Sequence, residues 1–207
     1  QRQMCIRDRM KAVNSLLVDK YPSQLAAKQV SFLTIGKKGF EYFGKRYSNI
    51  IGDYTTLFTG LSFNKVKEAA EFAMNGFVAG DYDVVEIIYN QFKNVATQIV
   101  QTERFLPISS ELPKNAVATK QVDYIFEPSV DEIINELVPS SLKIKFYTAV
   151  LESNASFFGA QMSAMDKATE NAGEMLKNLK VQYNRSRQAS ITNEILEIVA
   201  GAEALSA

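Results

Sequence analysis

Apolar and polar positions fall into two regimes along the chain. Through the first part, short apolar runs alternate with amphipathic stretches; from about Ser141, one helical pattern continues without proline to the C-terminus. Met10 to Val18 reads as a helix, ended near Tyr21-Pro22 because a residue before proline disfavours the α region. Gln29-Val-Ser-Phe-Leu-Thr-Ile35 is a mostly apolar run bounded by Gly36, the pattern of a buried strand. Lys37 to Arg46 predicts a short amphipathic helix with Phe40 and Phe43 on one side, and Ser48-Asn-Ile-Ile51 a short strand. Ser62 to Ala79 places Val66, Ala69, Ala70, Ala73 and Phe77 at helical spacing, with Ser62 as N-cap and Gly80-Asp81 as stop. Asp83-Val-Val-Glu-Ile-Ile-Tyr89 predicts a second strong strand, and Thr97 to Leu106 alternates as an edge or half-exposed strand does. Strand, helix, strand, helix, strand in this order predicts an α/β layer with a partly parallel sheet.

Ser109 to Gln121 is poor in large apolar residues and contains Pro113, which predicts a loop; Val122-Asp-Tyr-Ile-Phe-Glu-Pro128 reads as an extended segment leaving the sheet. Ser129-Val-Asp-Glu132 is a capping box that opens a short helix, expected to end at Pro139. The long helix follows. About 65 helical residues would span roughly 95 Å, against a radius of gyration of roughly 17 Å for a compact domain of this chain length. Such a helix must pack on something beyond its own globule. Ile144, Tyr147, Leu151, Asn154, Phe158, Gln161, Met165, Ala168, Ala172, Met175 and Leu179 alternate spacings of three and four, a heptad seam. Its alanines permit close approach of a partner helix, and its polar positions, Asn154 and Gln161, fix register. The seam fades through the polar stretch 182–190 and resumes, shifted, at Ile191, Ile195, Ile198, Ala202 and Leu205.

Composition narrows the chemistry. With 23 basic and 23 acidic residues, no net field draws nucleic acid or anionic lipid. No run of about twenty apolar residues is present to span a membrane, and the first ten residues lack the apolar core of a signal peptide. Cys5 is the only cysteine, which excludes an intrachain disulfide and fits a reducing compartment. The absence of histidine removes the commonest general base and metal ligand. Residues 1–9 match nothing that follows. They read as translated adaptor sequence joined to a shortened gene, and are set aside from the fold.

Candidate chemistry is thin. Gly39-Phe-Glu-Tyr-Phe-Gly44-Lys45-Arg46 matches the start of a phosphate-cradling loop. However, Arg46 stands where a Ser or Thr would bind magnesium, Glu41 would repel a phosphate, and the stretch lies inside a predicted helix. Asp131-Glu132, and Glu194 with Glu197, are read as capping or solvated charges rather than an acid–base pair. Asp81 and Asp83 lack the oxygen-rich surroundings of a calcium loop. The chain does not read as a self-contained enzyme.

The C-terminal stretch carries a resemblance. Ile191-Thr192-x-Glu194-x-x-Glu197-x-x-x-Gly201-Ala202-x-Ala204 fits the signature of the gamma subunit of bacterial-type rotary F-type ATP synthases. Upstream, Glu152-Ser-Asn-Ala-Ser156, Met162-x-Ala-Met165, Ala168-Thr169-x-Asn171 and Tyr183-Asn184-Arg185-x-Arg187-Gln188-Ala189 also look like that family, as does Val122 to Pro128. So does the strand pair from Tyr89-Asn-Gln-Phe92 to Leu106-Pro107, and the resemblance extends from about Met10 to Ala207. It implies a Rossmann-like foot over 10–139 and a shaft helix over 140–207 that forms half of an antiparallel coiled coil. It also implies that this chain is the family's C-terminal part, without the long N-terminal helix and first strand, so that the seam from Ile144 to Leu179 awaits an absent partner.

The same resemblance implies a non-catalytic rotor of the central stalk, with neither cofactor nor metal. It would couple proton-driven rotation of a membrane ring to ATP synthesis in a hexamer of alpha and beta subunits. The implied partners are the alpha, beta and epsilon subunits and the c-ring, without nucleic acid and without insertion into the membrane. The implied place is the cytoplasmic face of the bacterial inner membrane. Arg187, Gln188, Thr192 and Glu194 would meet the beta catch loops; Ile195, Ile198, Val199, Ala202 and Leu205 would sit in an apolar bearing. Gln161 departs from the arginine of many relatives, so a neutral hydrogen bond would replace an ion pair there. Two other readings compete. A coiled-coil scaffold with an α/β head explains the heptads but not the terminal signature. An α/β nucleotide-binding enzyme lacks both a phosphate loop and a histidine.

Overall fold

The computed structural model describes residues 4–108, 127 and 129–206. The chain divides into two compact units, Gln1–Gln161 and Met162–Ala207. Helix α1 (Met4–Lys20) is followed directly by α2 (Pro22–Ala26), strand β1 (Phe32–Ile35), α3 (Lys37–Gly44) and β2 (Ile50–Tyr54). Then come α4 (Phe63–Ala79), β3 (Val85–Phe92), β4 (Gln98–Leu106) and α5 (Val130–Ser206), which contributes residues to both units. The segments 109–121 and 122–128, expected as a loop and an extended stretch, lie outside the described residues apart from Glu127.

The expected α/β content is present: a parallel strand pair and an antiparallel pair, flanked by helices, with a long C-terminal helix. β1 and β2 pair in parallel, Phe32 opposite Ile50. β3 and β4 form a hairpin, Tyr89 opposite Gln101, closed at a turn where the Thr97 N–H donates to Asn94 Oδ1 at 2.6 Å. The two pairs are separate two-stranded sheets rather than one hydrogen-bonded layer.

Local signals account for most element ends. Pro22 fills the first turn of α2, where its missing N–H costs nothing. α4 stops at Gly80, whose left-handed backbone (φ 82°) favours glycine. Ser62 occupies the N-cap position of α4 with an extended backbone, but its hydroxyl makes no capping bond. Ser129 does cap: its Oγ accepts the Glu132 N–H at 3.2 Å.

Two expectations are corrected. α5 does not end at Pro139; the proline lies inside the helix. An interior proline removes one backbone bond and costs about 3 kcal/mol, and the turns that follow bury Phe146, Ala149 and Val150. Phe146 and Val150 each contribute about 1.5–3 kcal/mol on burial, which offsets the break. Helix α1 takes in residues from Met4 onward that were set aside as adaptor-like, and Arg9 Nη1 donates to Ser153 Oγ at 2.9 Å. The second correction is that Phe40 and Phe43 do not share one environment: Phe43 is buried on Phe32, whereas Phe40 is exposed.

Among the described residues, the first unit holds two apolar clusters. Leu57, Val66, Ala69, Ala70, Phe105, Leu106, Phe146 and Val150 join α4, the hairpin and α5. Leu17, Phe32 and Phe43 join α1, β1 and α3. Alanines on α4 present a small face, so the helix packs closely against the ring pair Phe105–Phe146, whose centroids are 5.7 Å apart.

Candidate functional site

All nine residues singled out for partner contact lie on α5 within the second unit, and all are exposed. At about 100° per residue, Arg187, Gln188, Thr192, Glu194, Ile195, Ile198, Val199, Ala202 and Leu205 share one arc of about 160°. Asn193 and Glu197 fall on the opposite side. The helix therefore brings the polar group and the apolar group onto one face, the polar positions nearer its start. Ile198 is 71% exposed and Leu205 91% exposed, so this face is apolar surface in contact with solvent. Thr192 turns its hydroxyl back onto its own helix and donates to the Gln188 carbonyl at 2.8 Å.

The seam behaves differently in the two units. In the first, Phe146, Ala149, Val150, Ser153 and Ser156 point into the core, while the seam positions Ile144, Leu151 and Phe158 are exposed beside them. Tyr147 alone among the seam's aromatics is partly covered, edge-on to Phe63 at 5.4 Å. In the second unit, Met165, Met175 and Leu179 are exposed.

A polar clamp in the first unit escaped the sequence reading. Ser156 is fully buried and its hydroxyl donates to the Asn90 carbonyl at 3.1 Å; the Asn90 N–H donates to Ser153 Oγ at 3.3 Å. Gly159 continues this small-residue line, and a side chain there would meet the Phe92 ring at 3.1 Å. The signal was available: Ser153, Ser156 and Gly159 recur every third residue on the face that carries Val150.

Charges fasten the same helix. Lys145 Nζ lies 3.0 Å from Glu103 Oε2, and Tyr89 Oη donates to Glu103 Oε1 at 2.9 Å. The Lys145 bond holds the Glu103 carboxyl below its usual range, and burial, followed by the bond to Glu103, pushes the Tyr89 phenol up to about 12. Lys143 meets Glu71 of α4 at 2.7 Å and lowers that carboxyl too. None of these groups forms a nucleophile–base pair. Among the described residues, no group of three or more His, Cys, Asp or Glu side chains could hold a metal ion. No helix among them is long and apolar enough to cross a membrane.

A family model described as ATP synthase matches residues 9–205. Over 197 residues the chain is 57% identical to the ATP synthase gamma chain of Cytophaga hutchinsonii, covering 95% of this chain and 67% of that protein. The chain belongs to the ATP synthase gamma chain family. The gamma chain of Flavobacterium psychrophilum is 54% identical over 183 residues, covering 87% of this chain and 62% of that protein. The chain thus spans about two thirds of the length of these curated relatives. A chain in the Euglena gracilis mitochondrial ATP synthase, in an assembly described as OSCP, F1 and c-ring in rotational state 3, shares the fold. Its TM-score is 0.58 at 17% identity, covering 97% of this chain and 68% of that one. Gamma-family membership does not favour the scaffold reading.

Proposed function

We propose that this chain is the rotor of a bacterial F-type ATP synthase central stalk. Residues 10–139 would serve as the foot that meets the c-ring and the epsilon subunit, and 140–207 as the shaft inside the alpha/beta hexamer. It would work without catalysing a reaction itself, as a peripheral subunit on the cytoplasmic face of the inner membrane. The observation that carries this reading is helix α5. Its described side chains from Met165 to Leu205 are all exposed, and the nine contact positions share one arc. An apolar helix face is left in water only when a partner is to cover it.

Rotation requires that the shaft bind successive beta conformations with different free energies, because a ligand of equal affinity for two states shifts neither. A face that is polar at Arg187 and Gln188 and apolar from Ile195 onward provides that asymmetry. The polar part supplies hydrogen bonds to the beta catch loops, and Ile195, Ile198, Val199, Ala202 and Leu205 supply a bearing in which no fixed ion pair resists turning. The seam from Ile144 to Leu179, exposed at Ile144, Leu151, Phe158, Met165, Met175 and Leu179, suits an antiparallel N-terminal helix.

The test is reconstitution with alpha and beta subunits after an N-terminal helix from a close relative has been restored. ATP hydrolysis should appear, and Gln188→Ala with Thr192→Ala should lower it roughly fivefold or more. A soluble hybrid that never joins the hexamer defeats the reading.

A further inference from the structure

Met165-x-x-Ala168-x-x-x-Ala172-x-x-Met175 reads the same in both directions about Glu170. Asp166 and Glu174 are matched acids at equal distance from that centre, and Thr169 and Asn171 are matched uncharged polar residues. The stretch lies on α5 inside the second unit. Its apolar side chains are open to solvent: Met162 and Met165 are each 54% exposed, Leu176 55% and Met175 64%. Ala168 and Ala172 are exposed as well.

Helical geometry turns the palindrome into a surface. Met165, Ala168, Ala172 and Met175 are consecutive seam positions and form one strip, with Met162 and Leu176 along one edge. Asp166, Lys167, Glu170, Glu174 and Lys177 all fall outside the strip and its edges, so pairing along it buries no charge. The Thr169 hydroxyl, beside the strip, donates to the Met165 carbonyl at 3.0 Å and so is satisfied within its own helix.

From this we infer that the strip binds a second copy of the chain, as an antiparallel two-fold pair of α5 helices centred at Glu170. In a two-fold interface a residue meets its partner position and the partner position meets it in return. An antiparallel pair places each layer opposite its mirror position, so the palindrome matches large with large and small with small. Met165 packs on Met175 of the other copy, Ala168 on Ala172, and Met162 lies beside Leu176. The alanine layers let the two backbones approach closely at the centre. The unbranched methionines on either side adapt to the space that remains. Lys167 comes level with Glu174 of the other copy, so the flanking charges attract on both sides of the two-fold axis. About 26 Å of paired helix buries on the order of 1,000 Å², the lower end for a specific interface. The pair is therefore reversible, with dissociation on the order of micromolar.

The inference goes beyond the rotor reading and does not depend on it; under that reading an N-terminal helix would compete for the same strip. Sedimentation equilibrium of the 207-residue chain from roughly 1 to 200 μM tests it. The mean mass should climb from one chain toward two. Ala168→Glu should weaken association about tenfold or more, because it sets a carboxylate against the apolar layer at Ala172 of the other copy. A one-chain mass throughout, or a dimer unchanged by Ala168→Glu, overturns the inference. Orientation is read by oxidative cross-linking of Met165→Cys and Met175→Cys chains that also carry Cys5→Ser. A disulfide needs Cα atoms within about 7 Å, whereas the two copies of position 165 in an antiparallel pair lie about 15 Å apart along the axis. The two variants mixed should therefore form a disulfide-linked dimer, and neither should do so alone. Linking of either variant to itself overturns the antiparallel arrangement. Both measurements read association and not ATP hydrolysis, so a monomeric result leaves the rotor reading standing.

Discussion

One helix, α5, is treated in two ways by its surroundings. Between Phe146 and Ser156 its inward face is buried on the hairpin and α4, bonded to Asn90 and tied by Lys143 and Lys145 to two carboxylates. From Met165 to Leu205 every described side chain is exposed. The apolar periodicity is similar in both stretches. Periodicity therefore specifies the helix, and only the packing tells which part of it stabilises the fold and which part stays exposed.

The largest expected contrast is in stability. Phe105, 2% exposed against Phe146, should cost about 3–5 kcal/mol when replaced by alanine. Ile195→Ala in the second unit should stay within about 0.5 kcal/mol. Urea unfolding of both variants checks this. Similar losses for the two would mean that the terminal stretch of α5 is packed in solution, and the comparison would break.

Hydroxyl groups sharpen the same contrast. Ser156→Ala removes a buried donor and leaves the Asn90 carbonyl short of a bond, a loss of about 1–2 kcal/mol. Thr192→Ala removes a hydroxyl bonded only to its own helix, and the same unfolding assay should register less than about 0.5 kcal/mol.

Much of the first unit was legible because its signals are local. Gly80 stops α4, Tyr21-Pro22 follows the end of α1 at Lys20, and the spacing of Val66, Ala69, Ala70 and Ala73 marked the buried face. What misled the reading was non-local. Pro139 was weighed by its local penalty, without the burial of Phe146 and Val150 that offsets it. The strands were foreseen but not their division into two sheets, since pairing joins residues far apart in sequence. The proposed contact face of α5 rests on resemblance to the gamma family. Its helical periodicity is visible in the sequence, but nothing in that periodicity identifies beta subunits.

Titration should separate the anchored stretch from the rest. Folding raises the Tyr89 phenol from 10.0 to about 12, so its contribution is full below pH 10 and is lost as pH climbs toward 12. Glu103 runs the other way: its carboxyl is lowered, so its contribution is present above pH 4.5 and is lost as pH falls through the folded value. In pH-dependent urea unfolding, Tyr89→Phe should flatten the alkaline limb relative to the parent chain. Lys145→Met should flatten the acid limb. A parallel shift of the whole profile in either variant would mean that the Tyr89–Glu103–Lys145 network does not form in solution.

The smallest effect compares two glycines of α5. A methyl at Gly173 meets nothing within 4 Å, so Gly173→Ala should strengthen the helix by about 0.5–1 kcal/mol through reduced backbone entropy. Gly159 has the same backbone advantage to gain, but its methyl would press on the Phe92 ring at 3.1 Å and lie 3.5 Å from the Val95 backbone. The hairpin would have to yield, and that strain should cancel the gain. Thermal unfolding followed by circular dichroism should show added helix stability for Gly173→Ala and none for Gly159→Ala. Equal gains would mean that the β3–β4 hairpin sits farther from α5 than the 3.1 Å contact requires, and that the anchored stretch is held by Phe146, Val150 and the serine bonds without that close approach.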